Sequence, residues 1–240
     1  MKTFSNEDSI YIGKEAGKEI LHRIKNAKSS VKVVSPYLSA SYVQELISLH
    51  KQGRKITLIT SDNIVTERSP YTNFRTGDLV NKEKVNNIKT DKTRKTCLKL
   101  FIFTIIGSLI LLALSSFLAY GFLHILTGIV FVSSLILILL WWIIEPHSYK
   151  YTPIFRIKVF DSRSGKNPQS TELIHSKIFV IDDELAFLGS ANFTYSGFKK
   201  HYETVIEVKD KKAVKSISQE VEDLYNSNIA RAKDPKEWAS

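Results

Sequence analysis

The sequence predicts an α/β protein in which a mixed sheet flanked by helices is interrupted by an inserted transmembrane helical hairpin. Three observations lead to this prediction. Residues 1–62 alternate helical and strand patterns, residues 151–230 contain short apolar strands before an amphipathic helix, and an uncharged stretch of 45 residues runs from Leu100 to Ile144. Alternating helices and strands are typical of a sheet with helices packed on it.

The composition excludes several classes of protein. The chain has 240 residues, with 34 Lys and Arg against 24 Asp and Glu, and a net charge of +10. A single cysteine, Cys97, rules out a disulfide scaffold, and 43% hydrophobic residues rule out a disordered chain. The basic surface favours a polyanionic partner, either nucleic acid or anionic lipid, although cytoplasmic Lys and Arg of a membrane protein would explain the same excess.

Residues 1–62 are interpreted as the first half of the sheet domain. The spacing of apolar residues predicts a helix, a strand, a second helix and a second strand, at 13–27, 31–35, 42–51 and 56–60. Ser41 is expected to cap the second helix. This order implies a parallel pair of strands joined by a crossover. Residues 63–99 follow as a polar, basic lead-in in which we expect no regular structure.

The uncharged stretch 100–144 predicts two membrane-spanning helices. One span needs about 20 apolar residues, so we expect helices over 100–119 and 125–144 with a turn between them. Basic residues flank both ends of the hairpin and the turn carries none. The positive-inside rule then places both soluble halves in the cytoplasm. The chain is therefore predicted to be an integral membrane protein with two spans.

Residues 151–230 are interpreted as the second half of the sheet domain. Apolar runs predict strands followed by a closing helix, at 154–160, 177–181, 185–188, 204–208 and 211–226. A turn-rich loop is expected over 162–170. Because strands from both sides of the insert should share one sheet, the number of membrane spans must be even.

The residues suited to chemistry lie in this second half. They form one spaced pattern, H-x-K-x4-D-x6-G-S-x-N followed by a glutamate, with members at His175, Lys177, Asp182, Gly189, Ser190, Asn192 and Glu203. Residues two apart on a strand face the same side, so His175 and Lys177 should point together. A neutral imidazole can attack phosphorus while an ammonium and amide donors stabilise the charge that develops on the oxygens. These residue types therefore suit phosphodiester chemistry.

The combined pattern resembles the signature of the phospholipase D superfamily, and the elements of residues 1–62 are similar to the first half of that fold. The resemblance covers about 1–62 and 151–230 and does not extend to the insert. It implies a phospholipase D-like sheet and a phosphodiesterase that works through a phosphohistidine. In that scheme His175 is the nucleophile, Lys177 and Asn192 bind the phosphate oxygens, and Ser190 assists them.

Two acidic residues receive supporting roles from the resemblance. Glu203 is expected to orient His175, and Asp182 to support its loop rather than to touch the substrate. His201 lies beside Glu203 but matches no motif position, so we interpret it as a surface residue. The resemblance implies no cofactor and no metal, and no Cys/His cluster in the sequence suggests a metal site.

Members of this superfamily use two histidines, one as the nucleophile and one as the general acid for the leaving group. The chain contains one H-x-K. We therefore expect a homodimer that pairs two copies of His175 across its two-fold axis.

The sequence leaves the substrate open between nucleic acid and phospholipid. Single-motif, dimeric relatives resemble endonucleases, and no acidic residue stands near Thr194, where cardiolipin synthases typically have one. The hairpin, however, would hold the site close to membrane lipids. Five apolar or aromatic residues suit either a lipid pocket or base stacking, namely Tyr37, Leu38, Phe193, Tyr195 and Phe198. A third hypothesis is a non-catalytic membrane protein that binds anionic lipid or nucleic acid.

Overall fold

A computed structural model describes residues 2–3, 8–62, 76–118, 121–161, 174–228 and 231–238. The chain divides into two units. One comprises Met1–Asn81 and Tyr151–Ser240 and carries the main sheet, and the other comprises Lys82–Lys150 and carries two long helices. They are called the sheet unit and the helical unit below.

The strands of the described residues are, in chain order, β1 (Lys2–Thr3), β2 (Ser9–Gly13), β3 (Ser30–Val34), β4 (Lys55–Ser61), β5 (Val80–Asn86), β6 (His147–Pro153), β7 (Arg156–Phe160), β8 (Ile178–Ile181), β9 (Leu185–Gly189) and β10 (Glu203–Val208). The helices are α1 (Lys18–Lys25), α2 (Ala40–Lys51), α3 (Ile88–Leu118), α4 (Gly121–Ile143), α5 (Tyr195–Lys199), α6 (Lys211–Asn226) and α7 (Pro235–Trp238). A short 3-10 turn, Thr76–Leu79, precedes β5.

Eight of these strands form the main sheet in the order β1-β2-β10-β9-β8-β3-β4-β7. Strands β3, β4 and β7 are mutually parallel, with Leu58 of β4 opposite Val33 on one side and Ile157 on the other. The remaining pairs are antiparallel. The predicted mixed α/β sheet is thus confirmed, and the long insert lies in the connection between the adjacent strands β4 and β7.

Helices cover the sheet on both faces. One face packs against α1, α2 and α5 through buried residues such as Ile20, Val43 and Phe198. The other face packs against α6 through Val214 and Val221. Helix α6 has the bounds that its apolar spacing predicts, because its buried residues recur at helical intervals and the side chain of its N-cap, Asp210, accepts a hydrogen bond from the backbone at position 213.

Several predicted boundaries in the sheet unit differ from the structure. The helix expected over 13–27 begins only at Lys18, because β2 ends at Gly13 with φ +123°, where it pairs with β10, and a turn over 14–17 follows it. Helix α2 begins at Ala40 and has Ser39, rather than Ser41, at its N-cap position. The loop expected over 162–170 lies outside the described residues.

The helical unit contains an antiparallel pair of long helices and most of a two-stranded sheet. Helices α3 and α4 are long and apolar enough to span a membrane, with mean hydropathies of 2.5 and 2.6 over their most apolar windows. Strands β5 and β6 pair with each other. The expectation that residues 63–99 lack regular structure is therefore corrected from residue 76 onward, where the 3-10 turn, β5 and the first turns of α3 stand.

The two long helices pack through small polar residues. Ser108, Ser115 and Ser134 are buried although they lie among Leu, Ile and Phe side chains that remain exposed. Small residues let helix backbones approach closely, which is typical of helix pairs in membranes. At the base of the pair, the Nε of Arg94 donates a hydrogen bond to the carbonyl oxygen of Trp141 at 3.1 Å.

Candidate active site

His175 and Lys177 lie immediately before β8 and contact each other. Strand β8 begins at Ile178, so the expectation that both residues stand on a strand is corrected. The Nζ atom of Lys177 lies 2.9 Å from Nδ1 and 3.2 Å from Nε2 of His175, and it donates a hydrogen bond to the His175 carbonyl oxygen at 2.7 Å. The lysine thus folds back on the residue two positions earlier and places its ammonium beside the imidazole.

The two residues differ in their exposure to solvent. His175 is exposed, whereas Lys177 is only 7% exposed. Burial lowers the pKa of the Lys177 ammonium below its ordinary value of 10.5, and the charge of Glu203 acts in the opposite direction and raises it. The site therefore combines an accessible imidazole with a buried cation, which is the arrangement that an incoming anionic group requires.

Ser190 and Glu203 join strands β9 and β10 at the same end of the sheet. The hydroxyl of Ser190 donates a hydrogen bond to Oε2 of the buried Glu203 and accepts one from the backbone of Thr204 at 3.0 Å. The strands approach closely here, because a Cβ at Gly189 would lie 2.1 Å from the carbonyl oxygen of Thr204. Only glycine fits at this position of the motif.

The expected contact between Glu203 and His175 is not made in the structure. Within the described residues, one oxygen of the carboxylate binds Ser190 and the other lies 3.7 Å from Nδ1 of His201. Glu203 therefore acts on Ser190 directly and on Lys177 through its charge.

Asn192 is held by the turn that leads into α5. Its backbone oxygen accepts a hydrogen bond from Thr194, whose side chain caps α5. The next residue, Phe193, donates its backbone N–H to Ser35 at the end of β3 at 2.9 Å. The side-chain Oδ1 of Asn192 is buried without a hydrogen-bond partner among the described residues.

Asp182 supports the fold beside this segment. Its carboxylate accepts hydrogen bonds from the backbone N–H groups of Lys28, Ser29 and Ser30, at 2.7–3.1 Å. Burial alone would raise the pKa of Asp182, but these hydrogen bonds outweigh burial and hold the pKa below its ordinary value of 3.8. With φ +56°, Asp182 also forms the tight turn between β8 and β9, a conformation that Asp tolerates better than most residues.

The structure changes the expected role of the aromatic residues near the motif. Leu38, Phe193 and Phe198 are fully buried in the core, so they do not line a pocket. Tyr195 is exposed. Tyr202, which directly precedes Glu203, is exposed as well and was not among the residues predicted for the site. The feature of the sequence that could have identified Tyr202 is its position next to Glu203.

The chain resembles known proteins in sequence and in fold. A family model described as "Cardiolipin synthase, PLD-like domain" matches residues 20–108 and 148–225. A search of curated proteins found no match. Among solved structures, NucT from Helicobacter pylori has a TM-score of 0.52 and 15% identity over 94% of this chain and 99% of its own.

Two further solved structures align at lower TM-scores. Nuc from Salmonella typhimurium, a phospholipase D family member, has a TM-score of 0.45 and 14% identity over 95% of this chain and 99% of its own. Phosphatidylserine synthase from Haemophilus influenzae has a TM-score of 0.46 and 12% identity over 96% of this chain and 41% of its own.

Proposed function

The chain belongs to the phospholipase D superfamily, and we propose that it is a membrane-anchored phosphodiesterase that cleaves its substrate through a phosphohistidine on His175. The observation that carries this proposal is the contact between the accessible imidazole of His175 and the buried ammonium of Lys177, 2.9 Å apart. A nucleophile beside a fixed cation suits an electrophile that is itself an anion.

The chemistry proceeds in two displacements. In the first, a ring nitrogen of His175 attacks phosphorus, an N–P bond forms, and the P–O bond to the leaving group breaks. Lys177 and the amide of Asn192 stabilise the charge on the phosphoryl oxygens, and Ser190 assists while it is held by Glu203. In the second, water or an alcohol attacks phosphorus, its proton passes to the group that protonated the leaving oxygen in the first displacement, and the N–P bond breaks, which restores the imidazole.

The leaving oxygen needs a proton, and one copy of the chain has a single H-x-K. We assign the general acid to His175 of a second copy, in a homodimer whose two-fold axis passes through the site. Activity of coexpressed wild-type and H175A chains tests this assignment. If the two chains are present in equal amounts and one site needs both histidines, random pairing leaves about one quarter of the wild-type activity, whereas independent sites leave about one half.

The hairpin of α3 and α4 is assigned to the membrane. Its apolar side chains, including Leu109 and Phe117, are exposed in the structure, and a protein surface of this kind is stable when lipid covers it. Basic residues at both ends of the hairpin support a cytoplasmic sheet unit, by the positive-inside rule.

The test of the function offers the full chain, in nanodiscs and with EDTA present, three substrates in parallel: single-stranded DNA, RNA and anionic phospholipid. Cleavage of any of them that is lost in H175A supports the proposal, and His175 is exposed, so the substitution should leave folding intact. The matched control is H22A, which removes an exposed histidine of α1. Full activity of H175A, or no cleavage of any substrate, would overturn the proposal, and tight binding without cleavage would identify a non-catalytic binding protein.

A further inference from the structure

Two exposed tyrosines, a lysine and a histidine lie close together along the chain, between Tyr195 and Tyr202, next to the motif. Tyr195 is 47% exposed and Tyr202 is 75% exposed. The Nζ of Lys200 lies over the ring of Tyr195, 5.4 Å from its centre. His201, between Lys200 and Tyr202, is also exposed. These four residues are called the tyrosine surface below.

The tyrosine surface is connected to the motif at both ends. Tyr195 begins α5, three residues after Asn192, and its backbone N–H donates to Ser39 at 2.7 Å. At the other end, Nδ1 of His201 lies 3.7 Å from the carboxylate of Glu203, which holds Ser190. The surface therefore adjoins Asn192 at one end and the Glu203–Ser190 pair at the other.

The backbone fixes the surface in place. The backbone N–H groups of Lys200 and His201 both donate to the carbonyl oxygen of Ser196, at 2.8 Å each, which closes the end of α5. Tyr202 precedes β10, whose first residue pairs with Gly13 of β2. The rings are thus carried by ordered backbone, so little conformational entropy is lost when a ligand stacks on them.

The chemistry of the surface favours nucleic acid over lipid. The exposed large apolar side chains in the described part of the sheet unit are Ile12, Tyr195, Tyr202 and Ile206. An acyl chain needs a contiguous aliphatic groove, whereas a nucleobase needs a flat ring and its phosphate needs a nearby cation. Tyr195 with Lys200 offers these two features side by side, and Tyr202 offers a second exposed ring.

We propose that the tyrosine surface binds single-stranded nucleic acid and makes it the substrate of the site. This inference rests on the proposed function for the position of the scissile phosphodiester. Stacking on an aromatic ring is tolerant of base identity, and recognition by one or two bases and a phosphate does not require a duplex. The surface therefore suits single strands without strong sequence preference.

The test measures binding separately from cleavage. A fluorescein-labelled oligothymidylate is titrated with the full chain in nanodiscs, and its anisotropy is recorded with EDTA present. Each of Y195A and Y202A should weaken binding by about tenfold, and Y195F and Y202F should retain binding because they keep the ring. K200Q should reduce the slope of affinity against salt concentration by about one phosphate contact.

The chain offers a matched control for Tyr195. Tyr149, in the helical unit, is equally exposed at 47% and has the Nζ of Lys82 4.2 Å from its ring centre. Y149A removes the same kind of ring and cation pair outside the sheet unit, and it should leave oligonucleotide binding unchanged. Equal losses in Y149A and Y195A would overturn the inference, because any exposed tyrosine would then serve.

The outcomes separate this inference from the proposed function. Cleavage of single-stranded DNA with KM raised and kcat kept in Y195A and Y202A would support both. Cleavage that depends on His175 but is unaffected by Y195A and Y202A would overturn the inference alone. Cleavage of phospholipid and not of nucleic acid would likewise overturn the inference and leave the phosphodiesterase standing. Oligonucleotide binding that depends on both tyrosines, without cleavage of any substrate, would overturn the proposed function and support the surface.

Discussion

The Nζ atom of Lys177 lies 2.9 Å from Nδ1 of His175, although the lysine side chain is buried and the histidine is exposed. The pair therefore places a cation at the inner wall of the site and a nucleophile at its opening. Lys177 also binds the carbonyl oxygen of His175, so the position of its ammonium is fixed by the same residue that it assists.

The pH dependence of turnover should report Lys177. In the proposed mechanism its protonated form is the active one, and burial lowers its pKa below 10.5, so kcat should fall as the pH rises through that lowered value. K177R should move this alkaline limb to higher pH, because arginine remains protonated. K177M should lower kcat about 100-fold or more. K212R, on the exposed side of α6, is the control, and a limb unchanged by K177R would contradict the assignment.

Acid stability should depend on Asp182. Its pKa is lower in the folded protein than its ordinary value of 3.8, so its carboxylate stabilises the fold above the ordinary pKa, and this contribution is lost as the pH falls through the lowered value. D182N should lower the free energy of unfolding by about 1–3 kcal/mol near neutral pH. It should also make stability depend less on pH in the acid range. Thermal melts between pH 3 and 7 in the same nanodiscs measure this, with D223N on exposed α6 as the control. Equal melts of D182N and wild type at pH 7 would refute it.

Ser190 should matter for both stability and turnover. S190A leaves a buried carboxylate oxygen of Glu203 without its donor and the backbone N–H of Thr204 without its acceptor. We expect a loss of about 1–3 kcal/mol in unfolding free energy and a lower kcat. S176A removes the exposed serine between His175 and Lys177 and should leave stability unchanged. A stable S190A variant with wild-type kcat would show that Ser190 has no role at the site.

The orientation of the hairpin can be read by cysteine labelling in intact cells. With Cys97 replaced by Ala, F122C at the start of α4 should react with an impermeant maleimide, because the turn is expected on the non-cytoplasmic side. E184C, in the exposed turn between β8 and β9, should react only after the cells are opened. Labelling of E184C in intact cells would reverse the predicted orientation.

Patterns within a short stretch of sequence correctly predicted the helices whose form depends on that stretch alone. Helix α6 matches its prediction because its apolar residues recur at helical spacing and its N-cap residue, Asp210, fixes where it begins. The paired long helices follow from an uncharged stretch that suits lipid rather than a soluble core. Strand β2, in contrast, carries no prediction apart from Gly13, which is assigned to the first predicted helix, because its extended form depends on pairing with β10, nearly two hundred residues later along the chain. Strands β5 and β6 are polar and have no apolar alternation to reveal them.

The site likewise combines features that the sequence predicts with features that depend on contacts between distant parts of the chain. The motif spacing predicted that His175 and Lys177 lie together, but the fold-back of the lysine onto the imidazole depends on burial that spacing does not encode. The contact of Glu203 with Ser190 arises where β9 and β10 approach at Gly189. It replaces the expected contact with His175 because strand pairing, rather than distance along the chain, sets which side chains meet.

The most direct test of the account is detection of the covalent intermediate. The full chain in nanodiscs is mixed with bis(p-nitrophenyl) phosphate, a phosphodiester that is neither lipid nor nucleic acid, and is quenched in alkali, where phosphohistidine survives. Peptide mass spectrometry should find one p-nitrophenyl phosphoryl group on the His175 peptide of the wild type and of H22A, and none in H175A. Turnover of this substrate without an adduct on His175, or an adduct that persists in H175A, would contradict the account.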